Sequence, residues 1–335
     1  MLPLGAIREF REAKPNIAMG VGLSRGENPP EVFCEGPLWS GAEEQVGQDA
    51  SWHIGSITKS ITSTLVMQQV DRGNLDLARP IGEYLANVDE VHHGWRAITL
   101  LQLLSHTSGL AANPPFWQFR KWRDLDSAIG RRRVLGEAWK KPPKFRTGTH
   151  RYSNLGYMLA GLVLEDVLKM PWENIVLQHL AKPLGLTSLG FGAPTGRSDP
   201  KGHQKRFFRL RPMSRTDVAS DNPRWLGPAG TIHMSIKDML AYGRAHLNAL
   251  RGAHPEFLSQ DSSMRMQTPV SQNYALGWVI EKNFVWHNGS NTMWYALLMI
   301  DPDSDTVFAA TQNAMMRTQK IDALARRMLQ AARHS

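Results

Sequence analysis

Cysteine is nearly absent: Cys34 is the only one in 335 residues, which excludes an intramolecular disulfide and any multi-cysteine metal site. A single cysteine of this kind is ordinarily a small buried hydrophobe, and Cys34 is read that way. No apolar run approaches the length of a membrane span. The segment Met1-Leu-Pro-Leu-Gly-Ala-Ile-Arg8 lacks an apolar stretch of signal-peptide length, which predicts a cytoplasmic chain, or a periplasmic one if a leader was removed. Low-complexity tracts are also missing, and 42% apolar with 21% charged residues is the composition of a chain folded throughout. There is no His-Glu-x-x-His pattern, so His92-His93 and the scattered histidines give no reason to expect a metal. Ser108, in His106-Thr-Ser-Gly-Leu110, does not sit in a Gly-x-Ser-x-Gly elbow, which argues against a Ser-His-Asp hydrolase built on His106 and Ser108; those residues are expected to fix a turn.

What is present begins with charge. A formal +9 and basic runs at Arg120 to Arg133 and Lys201 to Arg215 invite a nucleic-acid reading. Asp124, Asp126 and Pro212 interrupt these runs and no nucleic-acid motif accompanies them, so they are expected to be solvated helix faces and an exposed loop. The excess charge also suits attraction of anionic substrates.

Asn16 to Leu23 and Glu31 to Cys34 read as strands joined by a turn, so a hairpin is expected at the start. Ser56 to Arg72 carries Ile57, Ile61 and Leu65 at helical spacing and stops at Gly73-Asn74. A mainly helical stretch follows, with Leu100 to Leu104, an apolar helix over Asn154 to Met170, and another opened by Pro171. Gly192 to Arg224 reads as a long loop. Ser235, with Asp238 three residues on, caps a helix reaching Leu250. Tyr274 to Glu281, Phe284 to Trp286, Met293 to Asp301 and Thr306 to Thr311 read as strands, and Ile321 to Ala332 as a closing amphipathic helix. Strands at both ends around a helical middle predict an α/β (α+β) fold. Residues 1–60 and 225–335 form an antiparallel sheet domain flanked by helices, 61–224 an inserted helical lobe with a loop at about 192–224, and a cleft lies at the junction.

Three short elements carry chemistry. In His53-Ile-Gly-Ser-Ile-Thr-Lys59, Ser56 and Lys59 share a helical turn; a serine hydroxyl needs a neighbouring base to become a nucleophile. The spacing alone is weak, because Ser198-x-x-Lys201 repeats it, but only the first pair opens a helix, whose free amides favour developing negative charge. Tyr152-Ser-Asn154 is the single Tyr-x-Asn of the chain. A phenol beside a cationic lysine can be drawn toward phenolate and act as a base, and an asparagine amide can grip a substrate. Ordinary alternatives are an N-cap at Ser56 and at Asn154. In His287-Asn-Gly289-Ser290 the glycine permits close approach to backbone, although His53-Ile-Gly55 and His92-His-Gly94 have the same spacing. Trp117, Trp225, Trp278 and Trp294 either pack a core or line an acyl pocket; Trp225, with its loop, is the best candidate for substrate contact.

In the order Ser-x-x-Lys, Tyr-x-Asn, His-x-Gly, the chain resembles the class C β-lactamase and penicillin-binding-protein-like serine hydrolases. Leu103-Leu-Ser-His-Thr-Ser-Gly-Leu110, Gly227-Pro-Ala-Gly-Thr-Ile-His-Met-Ser235 and Leu276-Gly-Trp278 add to the likeness, which covers roughly residues 50 to 312. The resemblance implies acylation of Ser56, proton transfer by Lys59 and Tyr152, and substrate orientation by Asn154. It also implies an oxyanion hole from the backbone N–H groups of Ser56 and Ser290, and no cofactor. One departure is informative: β-lactamases and D-alanyl peptidases of this group carry Lys-Thr-Gly where His287 stands. A histidine at its usual pKa is only about one-quarter charged at pH 7, a poor anchor for a carboxylate though still a hydrogen-bond donor. Relatives with histidine here include esterases and D-aminopeptidase-like amidases, so the resemblance implies an esterase or amidase acting on a small ester, amide or β-lactam substrate. A lysine-type β-lactamase or D-alanyl-D-alanine carboxypeptidase is the alternative, and a non-catalytic binding or regulatory homologue the alternative of another class.

Overall fold

The fold is given by a computed structural model, which describes residues 2, 4–12, 15–85, 91–206, 209–214, 220–282, 284–316 and 318–333. Its strands are β1 (Met19–Arg25), β2 (Glu31–Glu35), β3 (Ser51–His53), β4 (Gly190–Phe191), β5 (His203–Arg206), β6 (Arg209–Pro212), β7 (Ile232–Ser235), β8 (Val279–Glu281), β9 (Phe284–Ser290), β10 (Tyr295–Asp301) and β11 (Thr306–Gln312). The two ends of the chain build one antiparallel six-stranded sheet in the order β2-β1-β11-β10-β9-β8. The two ends join in the pairing of β1 with β11, in register from Met19 opposite Gln312 to Arg25 opposite Thr306.

Strand periodicity decides which layer covers which face of this sheet. In β1 the residues alternate Met-Gly-Val-Gly-Leu, so Gly20 and Gly22 face one side and Met19, Val21 and Leu23 the other. The helix Ile236–Leu250 lies on the glycine side. A Cβ on Gly22 would fall 2.4 Å from Ile236 and 2.8 Å from Leu240, so glycine is what lets that helix sit down on the strand. On the opposite face Met19, Val21 and Leu23 pack with Leu297, Phe308, Ile321 and Leu329 beneath the C-terminal helix Thr318–Arg333. Ile7 of an N-terminal helix, Leu4–Glu12, joins the same cluster. That first helix was not expected from the sequence, and Ile7 anchors it to the sheet.

The central helices are longer-range in origin. Thr58–Asp71 follows a 3₁₀ turn at Gly55–Ile57, so Ser56 stands in that turn rather than in the first turn of the α-helix, and Gly73 at φ +72° ends the segment. This serine helix is buried on nearly every side although it is rich in Ser, Thr and Gln. Its hydroxyls are satisfied locally or across the interface: Ser60 Oγ donates to Ile57 O, Thr64 Oγ1 to Ser60 O, and Thr62 Oγ1 to Pro228 O. The helix Asn154–Leu168 packs beside it, capped by Ser153, whose Oγ accepts from Gly156 N, and not by Asn154. It closes at Lys169 in the left-handed region, with φ +55°.

The sequence reading needs amendment in several places. Arg131 lies on no solvated face: it is fully buried on the helix Ser127–Ala138 and reaches Glu165 at 2.7 Å and Glu173 at 3.0 Å. The expected loop over 192–224 contains the β5–β6 hairpin, which exposes Lys205, Arg209 and Arg211; residues 207–208 and 215 of that basic run lie outside the described residues. A small sheet, β3-β7-β4, was missed because each of its strands is too short to show a period. The strand expected from Tyr274 begins only at Val279, because Gly277 takes φ +80° and turns the chain. Cys34 is buried, and burial pushes its thiol up to about 12. No helix among the described residues is long and apolar enough to cross a membrane.

Candidate active site

Ser56, Lys59 and Tyr152 meet. Lys59 Nζ donates to Ser56 Oγ at 3.0 Å, and the Tyr152 hydroxyl donates to the same oxygen at 2.6 Å. Ser56 is half-buried and Lys59 has no exposure at all. The ammonium end of Lys59 faces the Ala229 carbonyl, to which it donates at 2.6 Å, and the rings of Tyr152 and Tyr157, at 4.8 and 5.6 Å from their centroids. No carboxylate is among these partners. Burial accordingly drives the lysine pKa well below its ordinary value, toward a free amine. Burial raises the Tyr152 phenol above its ordinary value, with the Ser56 hydrogen bond opposing only in part, even though 39% of the residue is exposed. The two shifts run opposite to the direction expected of a cationic lysine drawing the phenol toward phenolate: the lysine pKa falls and the phenol pKa rises.

Each of these side chains is delivered by a glycine or a turn. The helix Asn154–Leu168 has Gly161 where a Cβ would stand 2.3 Å from Pro228, so the Gly227–Gly230 turn can approach and set the Ala229 carbonyl on Lys59. Gly277 packs on the serine helix, where a Cβ would meet Ser63 Oγ at 2.7 Å and Ser60 Cα at 2.8 Å. Tyr152 is held from behind by His106, itself at φ +60°. The His106 carbonyl accepts from Arg151 N at 2.7 Å and its Nδ1 from Ser153 N at 3.0 Å, one bond on either side of Tyr152. The rings of His106 and Tyr152 are 4.3 Å apart. His106 thus fixes a turn, as expected, and that turn positions the phenol. This role was not read from the motif Leu103–Leu110.

The third element closes the site through backbone. A Cβ on Gly289 would fall 1.9 Å from Ile54 O and 2.5 Å from Ser56 N; one on Gly55, at φ +52°, would fall 2.3 Å from Ser290 N. Strand β9 can therefore lie against the serine turn only with glycine at both places, and this contact brings the Ser290 amide alongside that of Ser56. The Ser290 side chain serves its own turn, with Oγ accepting from Thr292 N at 2.8 Å.

His287 and Trp225 do not sit where a substrate contact requires. His287 is 3% exposed; its Nδ1–H donates to the Asn288 carbonyl, and its Nε2 accepts from the Tyr274 hydroxyl at 3.2 Å. Both ring nitrogens are occupied by protein. Burial first, then the nearness of Lys59, holds its pKa down to about 3, so the ring is neutral at pH 7 and supplies neither the conditional charge nor the free donor that the sequence suggested. Trp225 is fully buried, its indole N–H donating to Trp122 O at 2.9 Å, and it is a core residue. Trp278 and Trp294 are buried likewise, while Trp117 is 49% exposed. Asn154 is half-buried and donates its amide to Asn113 Oδ1 at 2.6 Å, which makes Asn113 a neighbour that sequence reasoning missed.

The other sequence candidates fall elsewhere. Lys201 lies over the Trp39 ring at 3.9 Å, which separates Ser198-x-x-Lys201 from the site. His92 caps a short helix by accepting from Gly94 N. Among the described residues no group of three or more His, Cys, Asp or Glu is arranged to hold a metal ion. A cavity of about 600 Å³ bounded by Arg123, Phe191, Asn222 and Arg224 is lined by none of Ser56, Lys59 or Tyr152, so the chemistry is located by the side-chain triad rather than by that cavity.

A family model described as β-lactamase matches residues 38–333. The chain belongs to the β-lactamase family. Curated relatives include PbpX of Bacillus subtilis (strain 168), 24% identical over 231 residues, covering 69% of this chain and 54% of that protein. Penicillin-binding protein 4 of Amycolatopsis lactamdurans is 25% identical over 328 residues, covering 89% of this chain and 81% of the relative. The chain thus spans about half the length of PbpX and most of the second relative. Two solved structures share the fold. A D-stereospecific amidohydrolase from Streptomyces sp. superposes with a TM-score of 0.72 at 24% identity, over 91% of this chain and 92% of that one. A class C β-lactamase gives 0.79 at 16% identity, over 97% and 94%.

Proposed function

We propose that this β-lactamase-family chain is a serine hydrolase that cleaves a small ester or amide through an acyl-enzyme on Ser56, with esters and amides preferred over β-lactams. The observation that carries the reading is the convergence of a buried Lys59 amine and the Tyr152 hydroxyl on Ser56 Oγ, at 3.0 and 2.6 Å. The free amine takes the serine proton as Oγ attacks the carbonyl carbon, and the amides of Ser56 and Ser290 receive the developing oxyanion. As the C–O or C–N bond of the leaving group breaks, the Tyr152 hydroxyl stands on the open side to pass a proton to it, replenished from the lysine ammonium. Water then attacks the acyl carbon by the reverse proton path and frees the acid with Ser56 restored.

The preference within this chemistry rests on His287. A neutral ring with both nitrogens engaged cannot hold a substrate carboxylate as a lysine would. This favours the esterase or amidase reading over a lysine-type β-lactamase or D-alanyl-D-alanine carboxypeptidase. A homologue without turnover is disfavoured by the assembled triad. The test is a side-by-side measurement of kcat/KM on short-chain 4-nitrophenyl esters, D-amino-acid 4-nitroanilides and a chromogenic cephalosporin, with intact mass of the Ser56→Ala variant alongside. Turnover of esters or amides with no adduct on the variant is expected. Efficient cephalosporin turnover above both would overturn the preference, and an equal adduct on Ser56→Ala would overturn the nucleophile.

A further inference from the structure

Asp221 belongs to the stretch leading into the Gly227–Gly230 turn and touches neither Ser56 nor Lys59 through any hydrogen bond. It is 8% exposed, and its Oδ1 is approached from two separate parts of the fold, each leading to one of the two amides of the site. On one side His53 Nε2 lies 2.8 Å from it. The contact falls short of hydrogen-bond geometry and is a close polar contact between the ring nitrogen and the side-chain oxygen. His53 is fully buried at the end of β3, and its Nδ1 accepts from Gly55 N at 3.1 Å. An Nδ1 that accepts leaves the ring proton on Nε2, which is the atom facing Asp221. Gly55 is the residue before Ser56 and the one whose φ is positive.

On the other side Asn291 Nδ2 donates to the same Oδ1 at 2.8 Å. Asn291 follows Ser290, and its Oδ1 accepts from Met293 N and Trp294 N, both at 3.2 Å, which closes the turn from β9 into β10. Trp294 in turn stacks on His53 with ring centroids 5.7 Å apart, so the two arms touch. Asp221 is itself fixed, its Oδ1 accepting from Asn222 N at 2.6 Å while Asn222 Nδ2 donates to Gly230 O at 2.8 Å.

We infer that Asp221 is a positioning residue for catalysis: through His53 and Asn291 it fixes the separation and direction of the Ser56 and Ser290 amides. This rests on the reading of Ser56 as the acylated serine. The physical need is evident from how the two amides are carried. They come from segments that are distant in sequence and meet only by glycine-to-backbone contact, which sets a closest approach but supplies no restoring force against separation. Asp221 supplies that force on both segments, through its hydrogen bond from Asn291 and its close polar contact with His53, and a low-dielectric surrounding strengthens such contacts. Oxyanion stabilisation depends on donors that are already in place when charge develops.

The test uses the full chain with 4-nitrophenyl acetate as substrate and a fluorophosphonate probe, read by intact mass, to count reactive Ser56. In Asp221→Ala, kcat per labelled serine is expected to fall about 100-fold with KM within about three-fold, the signature of a loss felt only in the transition state. Asp221→Asn keeps an acceptor oxygen for both arms and should recover at least about ten-fold of that loss. Hydrogen exchange at the Gly55 amide should quicken in Asp221→Ala. A residue that only holds the fold together would instead lower the number of labelled serines and leave kcat per labelled serine unchanged, and that result overturns the inference. If Asp221→Ala does not fold, His53→Phe and Asn291→Ala sever one arm each and are read in the same way. A parent chain that takes no label on Ser56 overturns the hydrolase reading and this inference with it; a labelled parent with unaffected variants overturns the inference alone.

Discussion

The proposed mechanism sets Lys59 two opposing demands, to be close enough to Ser56 to take its proton and to be uncharged when it does so. Burial among a carbonyl and two phenol rings, with no carboxylate partner, meets both at once. Activity should therefore rise with pH through a single titration lying well below the usual lysine range, as the ammonium gives up its proton. Tyr152→Phe separates the candidate bases. It should lower kcat by about 100-fold or more and leave the acid limb of the pH profile in place, whereas a tyrosine base would carry that limb away with it. Lys59→Arg keeps length and charge but cannot become neutral, and a loss of at least about 100-fold in kcat/KM for an ester is expected from steady-state kinetics.

At the scale of elements, backbone approach is the recurring device, and glycine is its means. Gly289→Ala puts a methyl 1.9 Å from a carbonyl oxygen and 2.5 Å from Ser56 N. Strand β9 must then move off the serine turn, and a fall of about 100-fold or more in kcat is expected with esters, the scale of losing one oxyanion donor. A second device joins helices. Arg131 bridges Ser127–Ala138 to Glu165 and Glu173, and Glu165 Oε1 also accepts from Trp172 N at 3.0 Å. Arg131→Ala would leave buried carboxylates without their cation and should cost about 3–5 kcal/mol in urea unfolding. Nothing in the run Arg120 to Arg133 distinguishes this arginine from its exposed neighbours, because the acidic partners arrive from two helices, Asn154–Leu168 and Trp172–Val176, both of which begin more than twenty residues later.

For the whole molecule, the buried histidines couple stability to pH. Burial holds both His246 and His287 down to about 3. The unfolded chain protonates each at about 6.5, so between these values it binds one more proton per histidine than the folded chain. Their contribution is complete above about pH 6.5 and is lost as pH falls, reaching about 2 kcal/mol each by pH 5. Urea midpoints at pH 7 and pH 5 would show this, and His246→Phe should shrink the difference by about one histidine's share. An unchanged difference would mean that His246 is protonated in the folded chain.

Local pattern determined much of this protein from sequence alone. The short apolar runs of β1, β10 and β11, the Ser235 cap, the apolar run from Asn154 and the order of Ser56, Lys59, Tyr152 and Asn154 are properties of neighbouring residues, and the antiparallel sheet built from both chain ends followed from them. Tertiary structure decided what depends on distant parts of the chain. Burial is such a property: it lowered the Lys59 pKa, raised that of Tyr152, silenced His287 and placed Trp225 in the core. So is close backbone approach, which brought Gly55 to Gly289. So too is the convergence of Asp221, His53 and Asn291, whose positions in sequence share no spacing or period. Charge state and contact are set by surroundings, and those surroundings are assembled only when the chain folds.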